Sequence, residues 1–95
     1  DGVMFSLEGK TGLVTGASGG LGSAIVAALV GQGARVAVSG SNAGKLEQFA
    51  GGFGDQALPL VCNLADPAAV DQLVPQALER LGGRLDILVN NAGIT

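Results

Sequence analysis

An α/β fold, with an open parallel sheet and helices on both of its faces, is the class this 95-residue chain predicts. Two observations predict it. Short apolar runs alternate with longer helix-like segments from end to end, with no internal repeat, linker or low-complexity tract. The last apolar run, Ile87-Leu88-Val89, is continuous rather than alternating, as in a parallel strand buried on both faces.

The elements follow in order. Leu13-Val14-Thr15 closes a first strand at about residues 11–15, and Leu21, Ile25, Ala28 and Leu29 are spaced as one face of a helix at about 21–32. Gly31 and Gly33 are placed to end that helix. A second strand is expected at about 35–39, a second helix at about 42–50 stopped by Gly51-Gly52, and a third strand at about 57–62. The third helix, about 67–81, is the best marked. Asp66 is a good N-cap, Pro67 suits the first turn, and Val70, Leu73, Val74, Ala77, Leu78 and Leu81 form one stripe. Pro75 inside it should kink the helix or remove a hydrogen bond. A fourth strand at about 86–90 ends the series.

Right-handed crossovers then constrain the layout. With strand order 3-2-1-4, the first two helices cover one face and the third covers the other. The chain reverses direction between strands one and four, and such a switch point opens a crevice at the strand carboxyl ends. One helix must then cover a whole face, and strand four is left as an apolar edge, an aggregation hazard. As an isolated chain the piece is expected to be marginal, swapped or paired with another copy.

Composition narrows the function. Apolar residues make up 47% and charged ones 14%, so the chain is rich in core. No apolar stretch approaches the ~18 residues needed to cross a membrane, and no signal peptide is visible. A net charge of −3 argues against nucleic acid, which favours basic faces. The single cysteine, Cys62, excludes an intrachain disulfide and points to inert core in a protein of the reducing cytoplasm. Asp1-Gly2-Val3 precede Met4, which reads as the natural start.

The chemistry lies in two motifs. TGASGGLG, Thr15 to Gly22, sits between the first strand and the first helix. A glycine-rich turn there lets the backbone approach a phosphate with no Cβ in the way, and aims free N–H groups at it from the helix N-terminus. Its spacing is not the G-x-G-x-x-G fingerprint, because Ser18 stands two places after Gly16. The second motif, Asn90-Asn91-Ala92-Gly93, follows the fourth strand. The topology puts the two beside the same crevice.

Together these motifs resemble those of the short-chain dehydrogenase/reductase family, and the resemblance runs from about Met4 to the end. LEGKTGLVTGAS, CNLADPAAV (Cys62 to Val70) and NNAGIT bring it nearest to the bacterial 3-oxoacyl-acyl-carrier-protein reductases. The resemblance implies a Rossmann-like, three-layer αβα fold, of which residues 1–95 are the cofactor-binding half. It implies that Gly16, Ala17, Ser18, Gly19, Gly20, Leu21 and Gly22 hold pyrophosphate. Asn63 and the Leu64 backbone would recognise adenine. Asn91, Ala92 and Gly93 would lie against the nucleotide, while Asn90 ties strands together.

The choice between NAD and NADP depends on the residues after strand two. Val38-Ser39-Gly40-Ser41-Asn42 contains no acid to hold a ribose 2′-hydroxyl, so a 2′-phosphate would not be repelled. Ser41, Asn42 and Lys45 could bind it, Lys45 being equally a solvated helix charge. Gly19 stands where NADP-preferring relatives carry a basic residue. NADP(H) is favoured over NAD(H). Asp86, at the start of its strand, lies at the wrong end for the cofactor and reads as structural.

The implied reaction is reduction of a 3-oxoacyl group on acyl carrier protein by hydride from NADPH, in a cytoplasmic homo-oligomer. The family's Tyr-x-x-x-Lys pair cannot be written here, because the chain has no tyrosine. No catalytic residue is therefore assigned, and the chain alone is expected to be inactive. A sugar or alcohol dehydrogenase, and a non-catalytic nucleotide-binding or assembly module completed by another polypeptide, remain as alternatives.

Overall fold

The computed structural model describes residues 7–16, 20–63 and 66–90, without the side chains of Val70 and Asn90. Four strands and three helices alternate: β1 (Thr11–Thr15), α1 (Gly20–Gly31), β2 (Arg35–Gly40), α2 (Ala43–Gly51), β3 (Ala57–Val61), α3 (Pro67–Arg80) and β4 (Ile87–Asn90). The sheet has the order β3-β2-β1-β4 and every pair in it is parallel. This is the predicted order, so the switch point falls between β1 and β4.

Two apolar layers hold the helices to the sheet. Val14, Val26, Val36, Val38, Leu46 and Ala50 pack on the face covered by α1 and α2. Leu13, Ala37, Leu60 and Cys62 pack on the other face against Leu73, Ala77 and Leu81 of α3 and the turn after it. Successive residues of β1 and β2 thus serve opposite layers, which is why neither strand shows polar alternation.

α1 is rotated from the face its spacing predicts, while α3 keeps its predicted face in narrower form. In α1 the buried residues are Gly22 and Val26, with Ile25, Leu29 and Val30 half-buried, whereas Leu21 is 56% exposed and Ala28 is exposed. In α3, residues 73, 77 and 81 make the contact, and Val74, a quarter-turn away, is 38% exposed. Pro75 lies within α3, which runs unbroken from Pro67 to Arg80. Having no N–H, Pro75 still withdraws one helical hydrogen bond on the exposed side.

Caps follow the sequence closely. Asp66 caps α3, its Oδ1 accepting from the Ala68 N–H at 3.0 Å. Gly33 follows α1 with φ +98°, and a Cβ there would meet the Glu8 backbone at 3.1 Å. Gly52 ends α2 in ordinary right-handed geometry, and a 3-10 turn, Gly54–Gln56, leads into β3. That turn was not expected.

Asp86 stands one residue before β4, not inside it. Its carboxylate accepts from the Thr11 N–H at 2.9 Å, its N–H donates to the Thr11 carbonyl at 2.9 Å, and the Thr11 hydroxyl donates to the Arg84 carbonyl. Arg84 Nε completes the clip to Asp86 Oδ1 at 2.8 Å. The Arg84 hydrogen bond, and then that from Thr11, hold the Asp86 carboxyl below its ordinary value of 3.8. The clip sits at the amino end of the sheet, as the structural reading of Asp86 requires.

Among the described residues nothing pairs with the outer edge of β4, and Leu88 on it is 57% exposed. Ile87 and Val89 are half-buried. On the opposite edge, β3 carries Pro59, which has no N–H to offer another strand. No helix among the described residues is long and apolar enough to cross a membrane.

Candidate functional site

Because all four strands are parallel, their carboxyl ends open on one edge of the sheet. Thr15, Ser39, Leu60 and Asn90 occupy one row across that edge in the order Leu60, Ser39, Thr15, Asn90. The segments read as nucleotide-binding continue from this row.

From β1 the chain passes into Gly16, whose φ of +64° suits glycine and costs an L side chain strain. Gly20 opens α1 with open space where a Cβ would stand, Leu21 is exposed, and Gly22 is buried. α1 thus begins at Gly20, at the end of the sheet where β1 finishes, and the first-turn N–H groups of a helix have no acceptor within the helix itself. Ala17, Ser18 and Gly19 lie outside the described residues, as do Leu64, Asn91, Ala92 and Gly93.

From β2 the chain passes through buried Gly40 to exposed Ser41. The Gly40 carbonyl accepts from the Cys62 N–H at 2.9 Å, which holds the ends of β2 and β3 side by side and brings Ser41 and Asn63 to the same side of the sheet. Asn63 is exposed and its carbonyl accepts from the Asp66 N–H at 3.0 Å. Asn42, considered above for a 2′-phosphate, is engaged otherwise: its Oδ1 caps α2 by accepting from the Lys45 N–H at 3.0 Å. Lys45 itself is exposed on the first turn of α2.

These residues fit a dinucleotide. A left-handed glycine leads to a helix N-terminus, Gly20 leaves room for close approach, and no carboxylate stands in residues 39–46 to repel a phosphate. Cys62 belongs to the core: it is 5% exposed, and burial, with the charge of Asp66 adding to it, pushes its thiol pKa up. A depression beside α3, lined by Leu60, Gln76, Glu79 and Arg80, contains none of the site residues. Among the described residues no cluster of His, Cys, Asp and Glu is able to hold a metal ion.

Sequence reasoning passed over one residue. Ser39 is fully buried and its Oγ has no hydrogen-bond partner among the described residues. A serine ending an apolar strand gives no sequence signal of its own; only the packing around it shows that it is unsatisfied.

Known proteins align with this arrangement. Nodulation protein G of Rhizobium sp. (strain N33) is 48% identical over 92 residues, and the 3-oxoacyl-[acyl-carrier-protein] reductase FabG of Rickettsia conorii is 47% identical over 92 residues. Each match covers 97% of this chain, and 37% and 36% of the relative. Sorbose reductase sou1 of Schizosaccharomyces pombe is 41% identical over 96% of this chain and 37% of its own length. The chain thus spans little more than a third of the length of these relatives. Among solved structures, the 3-ketoacyl-(acyl-carrier-protein) reductase of Brucella melitensis, complexed with NADH, superposes with a TM-score of 0.80 at 37% identity, covering 87% of this chain and 34% of that one. The RhlG/NADP active-site complex of Pseudomonas aeruginosa gives 0.82 at 38% identity, covering 92% and 36%. The family model for short chain dehydrogenases matches residues 10–95, and this chain belongs to that family.

Proposed function

We propose that residues 1–95 form the dinucleotide-binding part of an NADPH-dependent 3-oxoacyl-[acyl-carrier-protein] reductase. The observation that carries this reading is the left-handed Gly16 after β1 together with the start of α1 at Gly20, where a Cβ would meet open space, at the edge where β4 also ends. Gly16 to Gly22 receive the pyrophosphate on backbone N–H groups. Ser41 receives the 2′-phosphate at the end of β2, where no acid competes. Asn63 and Leu64 hold adenine, and Asn91, Ala92 and Gly93 lie against the nucleotide. When bound, NADPH supplies the hydride; these residues bind and orient it.

The substrate class rests on likeness to the acyl-carrier-protein reductases over nearly the whole chain. The whole protein is then a cytoplasmic homo-oligomer acting on carrier-bound 3-oxoacyl groups. Likeness to sorbose reductase favours a second reading, a sugar substrate. Mixing this chain with a separately expressed C-terminal part of a 3-oxoacyl reductase, and following NADPH oxidation, tests whether it serves as the cofactor-binding part of a reductase. Turnover of 3-oxoacyl carrier protein is expected, and no turnover leaves a nucleotide-binding module. The substrate pocket belongs to the catalytic part, so the sugar reading is tested on the whole protein, where turnover of sorbose but not of 3-oxoacyl carrier protein supports it.

A further inference from the structure

Ser39 stands in the row Leu60, Ser39, Thr15, Asn90 that crosses the sheet immediately before the nucleotide segments begin. By register it shares the α3 face with Ala37 and Leu60, which pack with Leu13, Cys62, Leu73 and Ala77. Its hydroxyl is enclosed in this apolar layer, unpartnered among the described residues, where an alanine methyl would fill the space without an unsatisfied group. Its register neighbour Thr15 is 7% exposed and donates Oγ1 to the Val89 carbonyl at 3.4 Å, a long bond. A hydroxyl oxygen carries two acceptor lone pairs, so Thr15 Oγ1 can take a bond from Ser39 in addition to the bonds Thr15 already makes.

We propose that Ser39 is a positioning residue for the dinucleotide: in the nucleotide-bound arrangement its Oγ donates to Thr15 Oγ1, completing a chain from Ser39 through Thr15 to the Val89 carbonyl. This chain ties the ends of β2, β1 and β4, so the segments that follow them are set together around one ligand. The bond forms in only one of two arrangements, and the nucleotide favours that arrangement by the difference. The inference rests on the dinucleotide reading above.

The test is a double-mutant cycle on NADPH affinity, read by fluorescence titration, with thermal melting of each protein without nucleotide. Ser39→Ala is expected to melt no lower than the parent chain and to bind NADPH about fivefold more weakly. Thr15→Val is expected to lose about as much, with the double variant no weaker than the weaker single one. Ser39→Thr, which keeps the hydroxyl, is expected to restore binding. Ser39→Ala binding like the parent, losses that multiply in the double variant, or a Ser39→Ala melting point below the parent would each overturn the inference. If the parent chain binds neither NADPH nor NADH, the dinucleotide reading falls and the inference with it; if the parent binds and the cycle fails, only the inference falls.

Discussion

Gly16 is the residue on which the site turns. Its φ of +64° is open to glycine and costs a β-branched side chain about 2 kcal/mol. Gly16→Val should therefore lower stability by about that amount in urea unfolding and, by placing methyl groups against the phosphate path, abolish NADPH binding. Stability unchanged to within a few tenths of a kcal/mol would contradict the turn geometry. At this scale the sequence was readable where backbone chemistry decides. The Asp66 cap, the glycine after α1 and the turn after β1 lie where their residue types require. It was not readable where a side chain chooses among partners. Asn42 caps α2 because its own helix start lies within reach, a local bond available with or without a ligand. Ser39 gave no signal because its unsatisfied hydroxyl is a property of the packing.

The elements were legible as an order and a count, and less so as rotations. Strand order and the two-faced helix cover follow from crossover handedness and chain alternation. Which stripe of each helix touches the sheet follows from tertiary contact. Leu73, Ala77 and Leu81 fit under α3, and Val74 is left outside although it lies in the predicted stripe. In α1, Gly22 and Val26 are buried and Leu21, in the predicted stripe, is exposed. The clip at Thr11, Arg84 and Asp86 joins the starts of β1 and β4 and makes a pH prediction. The Asp86 carboxyl is held below its ordinary value, so the folded state binds its proton less readily than the unfolded chain. Its contribution is whole above pH 3.8 and is lost as pH falls through the lower folded value. Asp86→Asn should lower stability at neutral pH and flatten the acid limb of the melting-temperature profile; an unchanged profile would remove the clip from the account.

For the molecule as a whole, the two sheet edges differ. Pro59 guards β3, whereas β4 offers an open edge with Leu88 exposed. In solution the 95-residue chain should associate with increasing concentration, and Leu88→Lys should shift light scattering towards monomer without loss of helical signal. Association that ignores this substitution would place the contact elsewhere. The crevice depends on the same architecture, because parallel strands bring Gly16, Ser41 and Asn63 to one edge.

The central claim, that this edge is a dinucleotide site selective for the 2′-phosphate, is met most directly by titrating the folded chain with NADPH and NADH under identical conditions. Saturable binding to both, tighter for NADPH, is the predicted result. A folded chain that binds neither, or that binds NADH more tightly, would contradict it.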